Sequence, residues 1–124
     1  STATMPNTNA SQPSAIPADR ARERRVRRGQ LEFSAKLDLH GHTQITADKY
    51  LYAFLVRQRA DNARCVLVIT GKGRSGEGVI RRNFLNWLST APARQLVSGY
   101  AQSHQKHGGA GAFYVFLRRL HKLS

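Results

Sequence analysis

A chain of 124 residues with one cysteine and a formal net charge of +13 at pH 7 is a single small domain that no internal disulfide holds together. A positive field of that size attracts polyanions, nucleic acid first among them. No run approaches the ~20 apolar residues of a membrane span, and the N-terminus lacks the apolar core of a signal peptide, so a cytoplasmic protein without a membrane partner is expected.

Residues 1–18 are rich in Ser, Thr, Pro, Asn and Ala, too poor in large apolar side chains to offset the entropy of ordering them. Residues 19–30 follow with Arg20, Arg22, Arg24, Arg25, Arg27 and Arg28. This arm, partly helical, is either a solvated linker or a set of phosphate contacts that orders on binding. The expected organisation is a disordered segment with an Arg-rich arm over 1–30 and a folded α/β unit over 31–124, acting as a monomer. Met5 is the first methionine and Ser1 precedes it, which points to a piece of a longer protein.

The folded part opens with Leu37-Asp38-Leu39-His40-Gly41-His42. On a strand, alternate residues share a face, so Asp38, His40 and His42 are expected to project together while Leu37 and Leu39 enter the core. Gly41 allows a turn, and Thr43 is a good N-cap for a helix over 43–60 whose Ala47, Leu51, Phe54 and Leu55 form a core stripe. After a turn at Asp61-Asn62, the apolar run Cys65-Val66-Leu67-Val68-Ile69 reads as a central strand covered on both faces, with Cys65 a core residue. A Gly-rich segment leads into a second helix carrying Ile80, Phe84, Trp87 and Leu88, which Pro92 is expected to end. A strand over 95–101, a polar loop over 104–111 and a strand over 112–117 complete the order β-α-β-α-β-β. This is a two-layer α/β domain.

Two loops carry polar chemistry. Gly71-Lys72-Gly73-Arg74-Ser75-Gly76 matches G-x-G-x-x-G, but a dinucleotide site needs an acid about twenty residues later, and Glu77 is the last carboxylate side chain. Gly76 is followed by Glu77 and Gly78 instead of Lys and Ser or Thr, so the segment is not a Walker loop either. What remains is a phosphate site of backbone N–H groups at a helix N-terminus reinforced by Lys72 and Arg74. Beyond Glu77, Arg81, Arg82, Arg94, Lys106, Arg118, Arg119 and Lys122 stand unopposed, and Arg118 is counted among the nucleic-acid contacts. In the second loop, His104-x-x-His107 has metal-ligand spacing without a third donor nearby.

Leu37-Asp38-Leu39-His40-Gly41, Thr70-Gly71-Lys72-Gly73 and His107-Gly108-Gly109-Ala110-Gly111-Ala112 with Tyr114-Val115-Phe116-Leu117-Arg118-Arg119, in this order, resemble the Smr (small MutS-related) domain family over residues 31–120. The resemblance implies a two-layer fold with a mixed four-stranded sheet, similar to the C-terminal domain of bacterial translation initiation factor three. It also implies an endonuclease acting on the sugar-phosphate backbone of DNA, by nicking, or of RNA, including messages on ribosomes. The family's D-x-H pair falls on Asp38 and His40, its Gly-rich loop on Gly71 to Gly73, and its H-G-G-x-G-A loop on His107, Gly108, Gly109 and the residues to Ala112. Many members carry His where Thr70 stands. Thr hydrogen-bonds a phosphate but is no base near neutral pH, leaving His42 or His107 to compensate.

Cutting a phosphodiester needs a base, an acid and positive charge on the non-bridging oxygens. His40 is the expected proton-transfer group and Asp38 its orienting partner. Lys72, Arg74 and the loop N–H groups are expected to hold the phosphate, with His107 as a second donor or acid and His42 in reserve. RNA supplies its own 2′-hydroxyl nucleophile; DNA needs an activated water, for which a divalent cation, Mg or Mn, on Asp38 would help. The rival reading is a nucleic-acid or ribosome-binding module without cleavage.

Overall fold

The two most apolar runs of the chain, Cys65–Ile69 and Ala112–Leu117, lie side by side at the centre of the sheet, and nearly every residue in them is buried. The computed structural model describes residues 20–72 and 77–119; the segment 1–18 expected to be disordered lies outside the described residues. In chain order the elements are α1 (Arg20–Arg27), β1 (Lys36–Asp38), α2 (Gln44–Ala60), β2 (Cys65–Ile69), α3 (Glu77–Trp87), α4 (Ala91–Leu96), β3 (Val97–Gln102) and β4 (Ala112–Leu117). Two single 3-10 turns, Gln105–His107 and Gly109–Gly111, fill the loop between β3 and β4.

The sheet runs β1-β2-β4-β3 and is mixed. β1 pairs parallel to β2, with Asp38 opposite Ile69, while β4 pairs antiparallel to both β2 and β3. Alternation sorts the central strands onto two faces. Val66, Val68, Phe113, Val115 and Leu117 meet Leu51 and Leu55 of α2, Phe84 of α3 and Leu96 of α4. Burying a side chain such as Leu51 or Leu55 contributes about 2 kcal/mol. As expected from the pattern, Thr43 caps α2, its side chain accepting from Thr46 N–H at 3.2 Å.

The second face holds Cys65, Leu67, Ala112, Tyr114 and Phe116, covered by Leu31 with Val26 and Phe33 packed beside it. The basic arm is therefore part of the fold from Val26 onward rather than a free tail. An all-buried strand pair needs a lid on each face, and Val26, Leu31 and Phe33 supply the second one. The segment that carries them then runs along the edge of β2, where Ser34 N–H donates to Cys65 O and Leu67 N–H to Ala35 O. Arg24, Arg25, Arg27 and Arg28 remain exposed. The α1 end is pinned where Lys106 Nζ donates to Gly29 O.

One expectation about punctuation is corrected. Pro92 does not end the second helix, which stops at Trp87; it sits in the first turn of α4, behind the N-cap Thr90. A proline lacks the N–H that the first turn leaves unpaired anyway. Gln95 and Leu96 consequently belong to α4, and β3 starts at Val97. Among the described residues no helix is long and apolar enough to cross a membrane.

Candidate active site

Three chain segments far apart in sequence meet at the carboxyl ends of β1 and β2, beside the start of β4. Parallel strands in open sheets present ligand sites at this end. Asp38, His40, Ile69, Gly71, Lys72, His107, Gly108 and Gly111 line an open cleft of about 400 Å³ there.

Asp38 is the last residue of β1, and its Oδ1 accepts the backbone N–H of His40 at 2.8 Å. The carboxylate thus holds the turn that carries His40. Gly41 follows at φ +85°, a conformation L side chains rarely adopt, and the chain leaves the strand direction. For that reason the alternation does not reach His42. Its N–H donates to Leu39 O at 3.0 Å, and its ring lies edge-on to Tyr50, centroids 5.2 Å apart. His42 is outside the cleft lining.

The Gly-rich loop is likewise only partly in the site. Thr70 is fully buried, its hydroxyl donating to Gly71 O at 3.1 Å, so the expected phosphate contact from this side chain is withdrawn. The N–H groups of Thr70 and Gly71 both donate to Gly111 O, at 2.8 and 3.0 Å. Those of His107, Gly108, Gly109 and Gly111 also end on backbone carbonyls. These described amides are engaged in shaping the loops, and the N–H groups of residues 73–76, where the phosphate cradle is expected, lie outside the described residues. The cationic side chain of Lys72 is exposed and lines the cleft. Gly109 is buried within its 3-10 turn. Gly73 and Arg74 lie outside the described residues, as does the Arg22 side chain.

Arg118, expected among the nucleic-acid contacts, is exposed but stands apart from the cleft. It follows the far end of β4, where its Nε donates to Arg94 O at 2.7 Å. Six strand residues separate it from the cleft end at Ala112, roughly 20 Å.

His107 enters the cleft from the 3-10 turn. Its Nδ1 lies 2.5 Å from the Tyr114 hydroxyl, and the Phe33 ring stands perpendicular to it, at 87° and 5.0 Å between centroids. Burial, then the positive charges of Lys106 and His104, push its pKa below the usual 6.5; burial raises that of Tyr114. Neither Tyr114 nor Phe33 stood out in sequence, since aromatic residues in and near an apolar strand read as core. The signal available was the spacing from His107 to Tyr114, short enough for a tight hairpin entry to bring them together.

No cluster of three His, Cys, Asp or Glu side chains that would hold a metal exists among the described residues. His104 Nδ1 accepts the N–H of Lys106 at 3.1 Å, a local turn contact. Asp38 offers a single carboxylate, short of the donor set of a resident Mg or Mn site.

Gly111 shows how tightly the loops pack. A Cβ there would lie 3.1 Å from Lys72 Cγ and 3.2 Å from the carbonyl carbon of Gly71, and that backbone is pinned by the two bonds to Gly111 O. Gly111→Ala is expected to destabilise the fold by about 1–2 kcal/mol and to displace Lys72. A melting temperature equal to that of the parent protein would count against this packing.

Known proteins are similar to this chain in both sequence and fold. The chain is 33% identical over 98 residues to the "Probable DNA endonuclease SmrA" of Escherichia coli K12, covering 77% of the chain and 51% of that protein. It is 28% identical over 99 residues to the "Ribosome rescue factor SmrB" of Escherichia coli O157:H7, covering 80% and 51%. The chain thus matches about half the length of each. Among solved structures, YdaL of Escherichia coli, a stand-alone small MutS-related protein, superposes with a TM-score of 0.66 at 32% identity, covering 78% of this chain and 74% of that one. The Smr domain of Thermus thermophilus MutS2 gives 0.59 at 27% identity, covering 68% and 99%. The Smr domain family model matches residues 37–118. That span takes in all three segments that build the cleft, and on this ground the chain belongs to the Smr domain family.

Proposed function

We propose that the protein is a nucleic-acid endonuclease whose centre is the cleft of Asp38, His40, Lys72 and His107. The observation that carries the reading is the convergence of an acid-histidine pair, a lysine and a second histidine, from three separate segments, in one solvent-open cleft of a strongly basic chain. The names of the relatives, one a probable DNA endonuclease and one a ribosome rescue factor, support it at the level of substrate class.

The donor set suits RNA best. His40 takes the proton of the 2′-hydroxyl, whose oxygen attacks the adjacent phosphorus; the bond from phosphorus to the 5′ oxygen breaks, and that oxygen takes up a proton from water. Products are a 2′,3′-cyclic phosphate and a 5′-hydroxyl. Asp38 keeps the His40 turn in place. Lys72 faces the charge that develops on the non-bridging oxygens, with His107 as a hydrogen-bond donor to the same group.

Labelled single-stranded RNA, supercoiled plasmid and a small phosphodiester, each with and without chelator, test the reading. RNA cleavage that survives chelation is expected. Binding of RNA and DNA without cleavage of either would establish the rival, a non-catalytic nucleic-acid or ribosome-binding module, for which the buried Thr70 at the position of the family histidine is the favouring observation.

The arm contributes affinity on this reading. Replacing the exposed Arg24, Arg25, Arg27 and Arg28 by Gln leaves Val26 in the core, so the fold persists. The slope of log affinity against log salt is expected to flatten by about 0.7 to 0.9 for each phosphate that the arm no longer neutralises. An unchanged slope would remove the arm from the binding surface.

A further inference from the structure

Tyr114 is fully buried in β4, and a buried phenol needs partners for both its oxygen and its proton. The backbone N–H of His104 donates to the hydroxyl oxygen at 3.3 Å, and His107 Nδ1 sits 2.5 Å from the same oxygen. The amide can only donate. The phenol proton is therefore satisfied by donation to Nδ1, which must then carry no proton. Were Nδ1–H to donate instead, the phenol oxygen would receive two protons and its own buried proton would have no acceptor in this pair of contacts, at the cost of an unmade hydrogen bond. A neutral imidazole with a bare Nδ1 holds its proton on Nε2. The perpendicular Phe33 ring closes on the imidazole from the side, which limits ring rotation. Burial and the neighbouring positive charges favour the neutral form.

We infer that Tyr114 is the positioning residue that holds His107 as the neutral Nε2–H tautomer, making it a fixed hydrogen-bond donor to the substrate phosphate and leaving His40 to take the proton. The inference rests on the endonuclease reading for its catalytic meaning, but the tautomer is a property of the free protein. It narrows His107, which the sequence offers as donor or acid, to a donor, and it gives a catalytic reason for a phenol inside an otherwise apolar strand.

Imidazole nitrogen NMR of the wild-type protein at neutral pH is expected to show Nδ1 of His107 unprotonated and Nε2 protonated; a protonated Nδ1 overturns the inference. Tyr114→Phe keeps the ring in the core and is expected to lower kcat about tenfold, the worth of one hydrogen bond to the ring, at nearly unchanged KM. Added to His107→Ala, the same substitution should cost nothing more, because its effect passes through the imidazole. A double variant slower than His107→Ala by a further tenfold would make Tyr114 an independent structural contributor and overturn the inference. A protein with the expected tautomer that cuts no nucleic acid would uphold the tautomer and bring down the endonuclease reading instead.

Discussion

His40→Ala is expected to slow cleavage by about 10³-fold, the scale of a positioned proton-transfer group, while affinity for nucleic acid stays within a few fold. Two features separate the two effects. His40 is exposed, so its removal leaves no cavity in the core. The contact that shapes the turn runs from Asp38 Oδ1 to the backbone N–H of residue 40, and alanine keeps that N–H. Single-turnover cleavage beside equilibrium binding measures both quantities on one preparation. Equal loss of cleavage and binding, or a lowered melting temperature, would assign His40 a structural role.

Lys72→Ala is expected to reduce kcat by about 10²-fold or more, comparable to the loss of one preorganised electrostatic donor, with a small rise in KM. β1 and β2 are neighbours with Asp38 opposite Ile69, so the chain leaving β2 passes Lys72 beside the turn that bears His40. The two backbone bonds to Gly111 O hold the preceding residues in place, so the lysine is carried by a fixed stem and brings a full positive charge to the cleft. A cation acting only on the developing transition state lowers kcat, whereas one that merely holds the strand raises KM. Normal kcat with weakened KM would reduce the Gly-rich loop to a docking surface.

Much of this architecture was legible in the sequence because its signals are local. Alternation over residues 37–42, the continuous apolar run Cys65–Ile69 and period-3.6 stripes marked strands and the two long helices, Thr43 marked a helix start, and the absence of late carboxylates argued against a dinucleotide site. Asp38, His40, Lys72 and His107 could be nominated from motif chemistry at strand ends. Pro92 was ambiguous because a proline both stops a helix and opens one, and only its place behind the Thr90 cap distinguishes the two.

Sequence by itself determined the residue types of the site, the order of the elements and the excess of positive charge. Tertiary structure alone decided which polar groups face solvent together. The turn at Gly41 carries His42 toward Tyr50, burial turns the Thr70 hydroxyl inward, and the length of β4 carries Arg118 away from the cleft. The antiparallel loop sets His107 on the Tyr114 hydroxyl. Each outcome depends on where a backbone hydrogen bond or a buried face lands across the sheet, a non-local quantity to which periodicity along the chain is blind.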